Sequence, residues 1–167
     1  GMQTGTAGRK RAESEDVMGV INELGAKELA PRLPWPARDA NKYTRGRLVA
    51  VGGACSYPGA ICMAACAALR TGAGYVEVVC APETVSVARQ AALDLVVRCW
   101  DGWSPAAATH DVPPDAHHPR ACLVGSGMDA ADAATDGLVY AILECCACPV
   151  IVDGGAIAAL ATEQGRA

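Results

Sequence analysis

Apolar positions in this chain follow two alternating rhythms: short continuous runs closed by glycine, and longer stretches spaced by three and four. The clearest run is Leu48 to Val51, followed at once by Gly52 and Gly53. An unbroken apolar stretch of that length suits a strand buried on both faces. From Pro58 to Thr71 the spacing becomes helical. Ile61, Ala65, Ala68 and Leu69 lie on neighbouring turns, proline opens the segment and Gly72 is placed to stop it. YVEVVCA is the second strand, PETVSVARQAAL the next helix and LVVRCW a short third strand, followed by a loop from Trp100 to Arg120. The grammar then repeats. ACLVGSG is a strand ending in glycines, Ala130 to Ala147 a helix and PVIVDGG another strand.

Alternating strand and helix joined by short connections predict a three-layer α/β sandwich with a mainly parallel sheet, its strands including Leu48 to Val51, Val76 to Cys80, Cys122 to Val124 and Val150 to Val152. The handedness of such crossovers puts all strand carboxyl ends along one edge. Three of those ends carry GGACSYPG, GSGMD and DGG, so the three turns are expected to converge on one crevice, where open parallel sheets bind their ligands. Ahead of this region Val17 to Leu29 has weak helical spacing, and APRLPWPARDANKYTRGR is a proline-rich, charged lead-in.

With 167 residues the chain has room for one domain with a sizeable core. Residues 1–32 read as a polar tail and lead-in helix and 33–167 as the folded part. A net charge of -4 argues against nucleic acid or an anionic membrane as partner, and the basic cluster Arg9 to Arg11 is too short to reverse that. The polar start lacks the apolar core of a secretory signal, and no stretch is long and apolar enough to span a bilayer, so a cytoplasmic protein is expected. The nine cysteines fall mostly in apolar segments, as at Cys62, Cys66, Cys80 and Cys122, and read as small buried hydrophobes kept reduced. The alternative is zinc at Cys145, Cys146 and Cys148 with His117 and His118 upstream, but no paired C-x-x-C knuckle supports it and no metal is expected.

The chemistry available at GGACSYPGA is mainly backbone. Glycines allow positive φ and close approach, and the start of the following helix offers uncompensated N–H groups and a partial positive charge, which suit phosphate or a polar ligand. The plainer reading is that Gly52 and Gly53 only turn the chain out of the sheet, and that the alanines let a helix lie close to it. The pattern is neither G-x-G-x-x-G nor a Walker loop. Gly125 and Gly127 admit a ribose or pyrophosphate, whereas Asp129 either meets a cation or hydroxyl or serves as a helix N-cap. Asp153 is a hydroxyl or metal ligand, or merely a turn former.

Three motifs, in this order and spacing, carry a resemblance. The segment from Lys42 to Val79 resembles the opening of the ADP- or ATP-dependent NAD(P)H-hydrate dehydratases, a branch of the ribokinase-like carbohydrate kinase superfamily. ACLVGSGMD resembles that family's G-P-G-L-G turn, and PVIVDGGAIAAL its P-V-[VL]-D-A-D-A-L-N-x-L segment. The resemblance implies a ribokinase-like fold and repair of hydrated NADH or NADPH. The added hydroxyl is phosphorylated by ADP or ATP, with Mg, and phosphate then leaves. It implies substrate contacts at Gly53, Tyr57, Gly59, Ala60, Gly125, Gly127 and Asp153, with a small-molecule dinucleotide as ligand. A weaker alternative is a sugar or vitamin kinase of the same superfamily.

Departures accompany the matches. Ser126 stands where the family has proline, Asp129 where it has glycine, Gly155 at its second aspartate and Ala158 at its asparagine. The resemblance covers only the first part of the family domain, and the family's T-P-H-x-G-E stretch and its G-G-x-G-D turn with the catalytic aspartate have no counterpart here. No catalytic residue is therefore assigned in this chain. The expectation is a truncated, amino-terminal portion of the domain, part of a longer or split enzyme with a complementing carboxy-terminal half. The alternative is a non-catalytic, nucleotide-binding or oligomer-forming remnant, and a homo-oligomer is expected.

Overall fold

A computed structural model of the chain describes residues 25–33, 35–106 and 118–162. The chain divides into two units, Gly1–Trp35 and Pro36–Ala167. In the first, the described part is a single helical turn, α1 (Ala26–Leu29), continued by a 3-10 turn at Ala30–Arg32, with the Trp35 indole N–H donating to the Ala30 carbonyl at 3.3 Å. The part of the expected Val17 to Leu29 helix before Gly25 lies outside the described residues.

The second unit holds the sheet. Its five strands are β1 (Arg47–Val51), β2 (Tyr75–Cys80), β3 (Val96–Cys99), β4 (Arg120–Val124) and β5 (Val150–Val152). They are all parallel and lie in the order β3-β2-β1-β4-β5. The expected sandwich is what forms. Arg120, expected as the last residue of the loop from Trp100, is the first residue of β4 and pairs with Arg47.

Side-chain alternation sorts each strand between two cores. On one face Ala50, Val76, Val78 and Cys80 pack against Ile61 and Ala65 of α2 (Pro58–Arg70) and Ala88 of α3 (Val85–Ala91). On the other, Val49, Val51, Val79, Cys122 and Val124 pack against Val139 and Ile142 of α4 (Ala133–Cys145) and Ala156 and Ala159 of α5 (Ala156–Leu160). Helix α2 begins with Pro58 at a position where the missing N–H costs nothing. It ends at Gly72, whose φ of +111 allows Ala73 N–H to reach the Ala68 carbonyl and Gly72 N–H the Leu69 carbonyl.

One charged residue sits inside the sheet. Glu77, 2% exposed, occupies the middle of β2 and accepts from Arg47 of β1 at 2.5 Å and from Arg98 of β3 at 2.6 Å. A buried carboxylate is tolerated because both its oxygens are engaged by guanidinium donors.

Candidate functional site

The chain leaves β1 toward β2 and returns at β4 on the opposite side of β1, so the strand order reverses between β1 and β4. That reversal opens the position where ligands enter parallel sheets. The turns after β1 and β4 meet there. Gly53 N–H donates to the Ser126 carbonyl at 2.9 Å and Ala54 N–H to the Gly127 carbonyl at 2.8 Å, continuing the ladder one step past the strands. The third turn joins through a side chain, the Ser126 hydroxyl donating to Asp153 Oδ2 at 2.9 Å. The expected convergence of GGACSYPG, GSGMD and DGG is therefore present.

The glycines are explained first by this mutual contact. A Cβ on Gly52 would meet the Ser126 carbonyl oxygen at 2.2 Å, one on Gly125 the Asp153 oxygen at 1.8 Å and one on Gly127 the Tyr57 oxygen at 2.4 Å. Gly53, Gly125 and Gly127 also have positive φ, where side chains are strained. Gly59 differs: nothing lies within 4 Å of a Cβ built there. It stands exposed at the start of α2, next to Tyr57, which is 57% exposed. Among the described residues no side chain caps this helix, so the helix dipole stands behind first-turn N–H groups that have no side-chain acceptor. Ala60 is partly buried, and its Cβ would lie 3.2 Å from one on Gly127, so it packs against the second turn.

Two carboxylates belong to this edge. Asp129 Oδ1 accepts from Ala131 N–H at 3.0 Å, a local turn-stabilising contact. Asp129 is therefore not the N-cap of α4, which starts only at Ala133. Asp153 is exposed. Among the described residues no group of three His, Cys, Asp or Glu side chains is gathered to hold a metal ion.

The cysteines have no disulfide, and burial is uneven. Cys62, Cys80 and Cys122 are buried as expected, whereas Cys66 is only partly buried, and burial pushes the Cys80 thiol up to about 11 and raises those of Cys62 and Cys122. A thiol so raised is a poor nucleophile at neutral pH. Cys55 and Cys145, by contrast, are exposed. His117 lies outside the described residues, and His118 lines a cavity at the opposite edge of the sheet.

The sequence pattern of the NAD(P)H-hydrate dehydratases matches residues 48–167, taking in all three turns. The chain belongs to the NAD(P)H-hydrate dehydratase family. It is 38% identical over 143 residues to the bifunctional NAD(P)H-hydrate repair enzyme of Salinibacter ruber, a match covering 80% of this chain and 26% of that one. It is 31% identical to the ADP-dependent (S)-NAD(P)H-hydrate dehydratase of Xanthomonas campestris, over 74% of this chain and 44% of the relative. The chain thus spans between about a quarter and under half the length of these relatives. Among solved structures it resembles the ADP/ATP-dependent NAD(P)H-hydrate dehydratase of Bacillus subtilis, with a TM-score of 0.63 and 25% identity over 78% of this chain and 44% of the other. A ribokinase-like superfamily protein of Enterococcus faecalis shares the fold at a TM-score of 0.66, over 80% of this chain and 44% of the other. The family's fold is the ribokinase-like one expected from the motifs.

Proposed function

We propose that this stretch of a hydrate dehydratase supplies the substrate-facing turns of a nucleotide-dependent enzyme that restores NADH or NADPH from its hydrate. The observation that carries this reading is the joining of the three family motifs into one hydrogen-bonded edge at the strand-order reversal. Backbone N–H groups at the start of α2 would meet the dinucleotide's phosphates, and Gly59 leaves room for it. Gly53, Gly125 and Gly127 hold the turns in place, and Asp153, oriented by Ser126, would accept a ligand hydroxyl. Tyr57 would flank the bound molecule and Ala60 would form part of the floor.

ADP or ATP is the proposed phosphoryl donor. The described residues offer no cage for magnesium, so the ion would arrive on the nucleotide's own phosphates, as magnesium commonly does. Transfer to the hydrate's hydroxyl requires a base beside it. Asp129 is committed to Ala131 N–H and Asp153 to the Ser126 hydroxyl. The base is therefore proposed to come from a complementing carboxy-terminal half, on a longer polypeptide or a second one.

Calorimetry on the 167-residue chain with NADPH hydrate, ADP and ATP tests the reading. Binding without NADPH regeneration is expected, and Gly59→Trp, which fills open space without touching the core, is expected to weaken it at least tenfold. Absence of heat with every ligand would overturn the binding role. Regeneration of NADPH by this chain alone would instead make Asp129 or Asp153 the base.

A further inference from the structure

The edge of the sheet opposite the glycine turns holds a cavity of about 470 Å³, lined in part by Tyr43, Arg47, Tyr75, Arg98, His118 and Arg120. Its volume falls in the range of small-molecule sites. With five residues in β1, it lies roughly 17 Å from the turns.

Three arginines line this cavity against one carboxylate, Glu77, which Arg47 and Arg98 already share. Among the described residues Arg120 has no such partner, and it stands directly across from Arg47 on the neighbouring strand. Like charges placed opposite each other oppose sheet formation. In addition, Arg47 Nε and Arg120 Nη1 are buried with no hydrogen-bond acceptor among the described residues. Both arginines also line a separate small void of about 10 Å³, room for about one water to accept from these two atoms, so the case for a ligand in the larger cavity rests on its charge. Beside them Tyr43 and Tyr75 stack with ring centroids 6.3 Å apart, and Lys42 Nζ lies 5.0 Å from the Tyr43 ring and 5.9 Å from the Tyr75 ring.

We propose that this cavity is a second ligand site, separate from the glycine-turn edge, for a small phosphate-bearing molecule. A phosphate group provides several acceptor oxygens and the counter-charge that Arg120 lacks among the described residues, and guanidinium forks match its geometry. Lys42 adds charge beside the stacked tyrosines, which form an apolar wall for the rest of the ligand.

Inorganic pyrophosphate is the probe, titrated calorimetrically into the 167-residue chain. Arg120→Gln is expected to weaken binding about tenfold. Lys42→Gln, at an exposed position that leaves the sheet intact, is expected to weaken it about threefold, with circular dichroism unchanged. Gly59→Trp, at the other edge, is expected to leave it unaltered. Equal affinity in the wild type, Arg120→Gln and Lys42→Gln would overturn the proposal. So would loss of binding in Gly59→Trp, which would assign the heat to the helix start, or no binding at millimolar pyrophosphate.

Discussion

Two glycines 68 positions apart in the chain have opposite tolerances. Gly127 has a φ of +74 and would drive a Cβ to 2.4 Å from the Tyr57 carbonyl oxygen, whereas Gly59 is helical and faces open space. Gly127→Ala is therefore expected to lose on the order of 2 kcal/mol or more. Gly59→Ala is expected to gain up to about 1 kcal/mol by restricting the unfolded chain. Urea denaturation of the two variants measures both, and equal stabilities would show that the turns are not packed as described. Their glycine content was plain in the sequence. Which glycines answer to a neighbouring turn and which to solvent was not, because that depends on residues distant along the chain, such as Asp153 for Gly125.

At the scale of elements, Glu77 ties three adjacent strands through Arg47 and Arg98. Its removal leaves the partly buried Arg47, 18% exposed, without a counter-charge, so Glu77→Ala is expected to cost about 3–5 kcal/mol. Arg98, 57% exposed, is screened by water, and Arg98→Ala is expected to cost about 1 kcal/mol or less. Thermal unfolding of both variants checks the order, and a larger loss for Arg98→Ala would contradict it. The strands themselves were legible, since β1 and β4 are apolar runs closed directly by glycine, β5 runs into Asp153 and two glycines, and β2 and β3 keep their apolar character around Glu77 and Arg98. Helix α5 was not, because AIAAL is only five residues long and its alanines carry little periodicity. Neither was the arginine cavity, whose lining comes from the starts of separate strands and forms no local motif.

For the whole molecule, the sheet's last strand sets its behaviour in solution. Among the described residues β5 pairs only with β4, leaving its other side open, with Ile151 55% and Ile157 54% exposed nearby. An open edge beside apolar side chains favours pairing with another chain, a second copy or a complementing half. Association that grows with concentration is expected in light scattering, and Ile151→Lys is expected to reduce it severalfold. A monomer at all concentrations in both would exclude this edge as the interface.

The order β3-β2-β1-β4-β5 also makes the first strand synthesised the central one. Arg47 finds Tyr75 on one side early, but its partner on the other side is Arg120, far later in the chain. A nascent polypeptide emerging from the ribosome can close β1 on β2 and β3 at small loop-closure cost while the opposite flank of β1 still has no partner. For that interval the row of amides destined for the middle of the protein is its most exposed feature, and the speed of translation between the two glycine turns sets how long it stays open to wrong pairings.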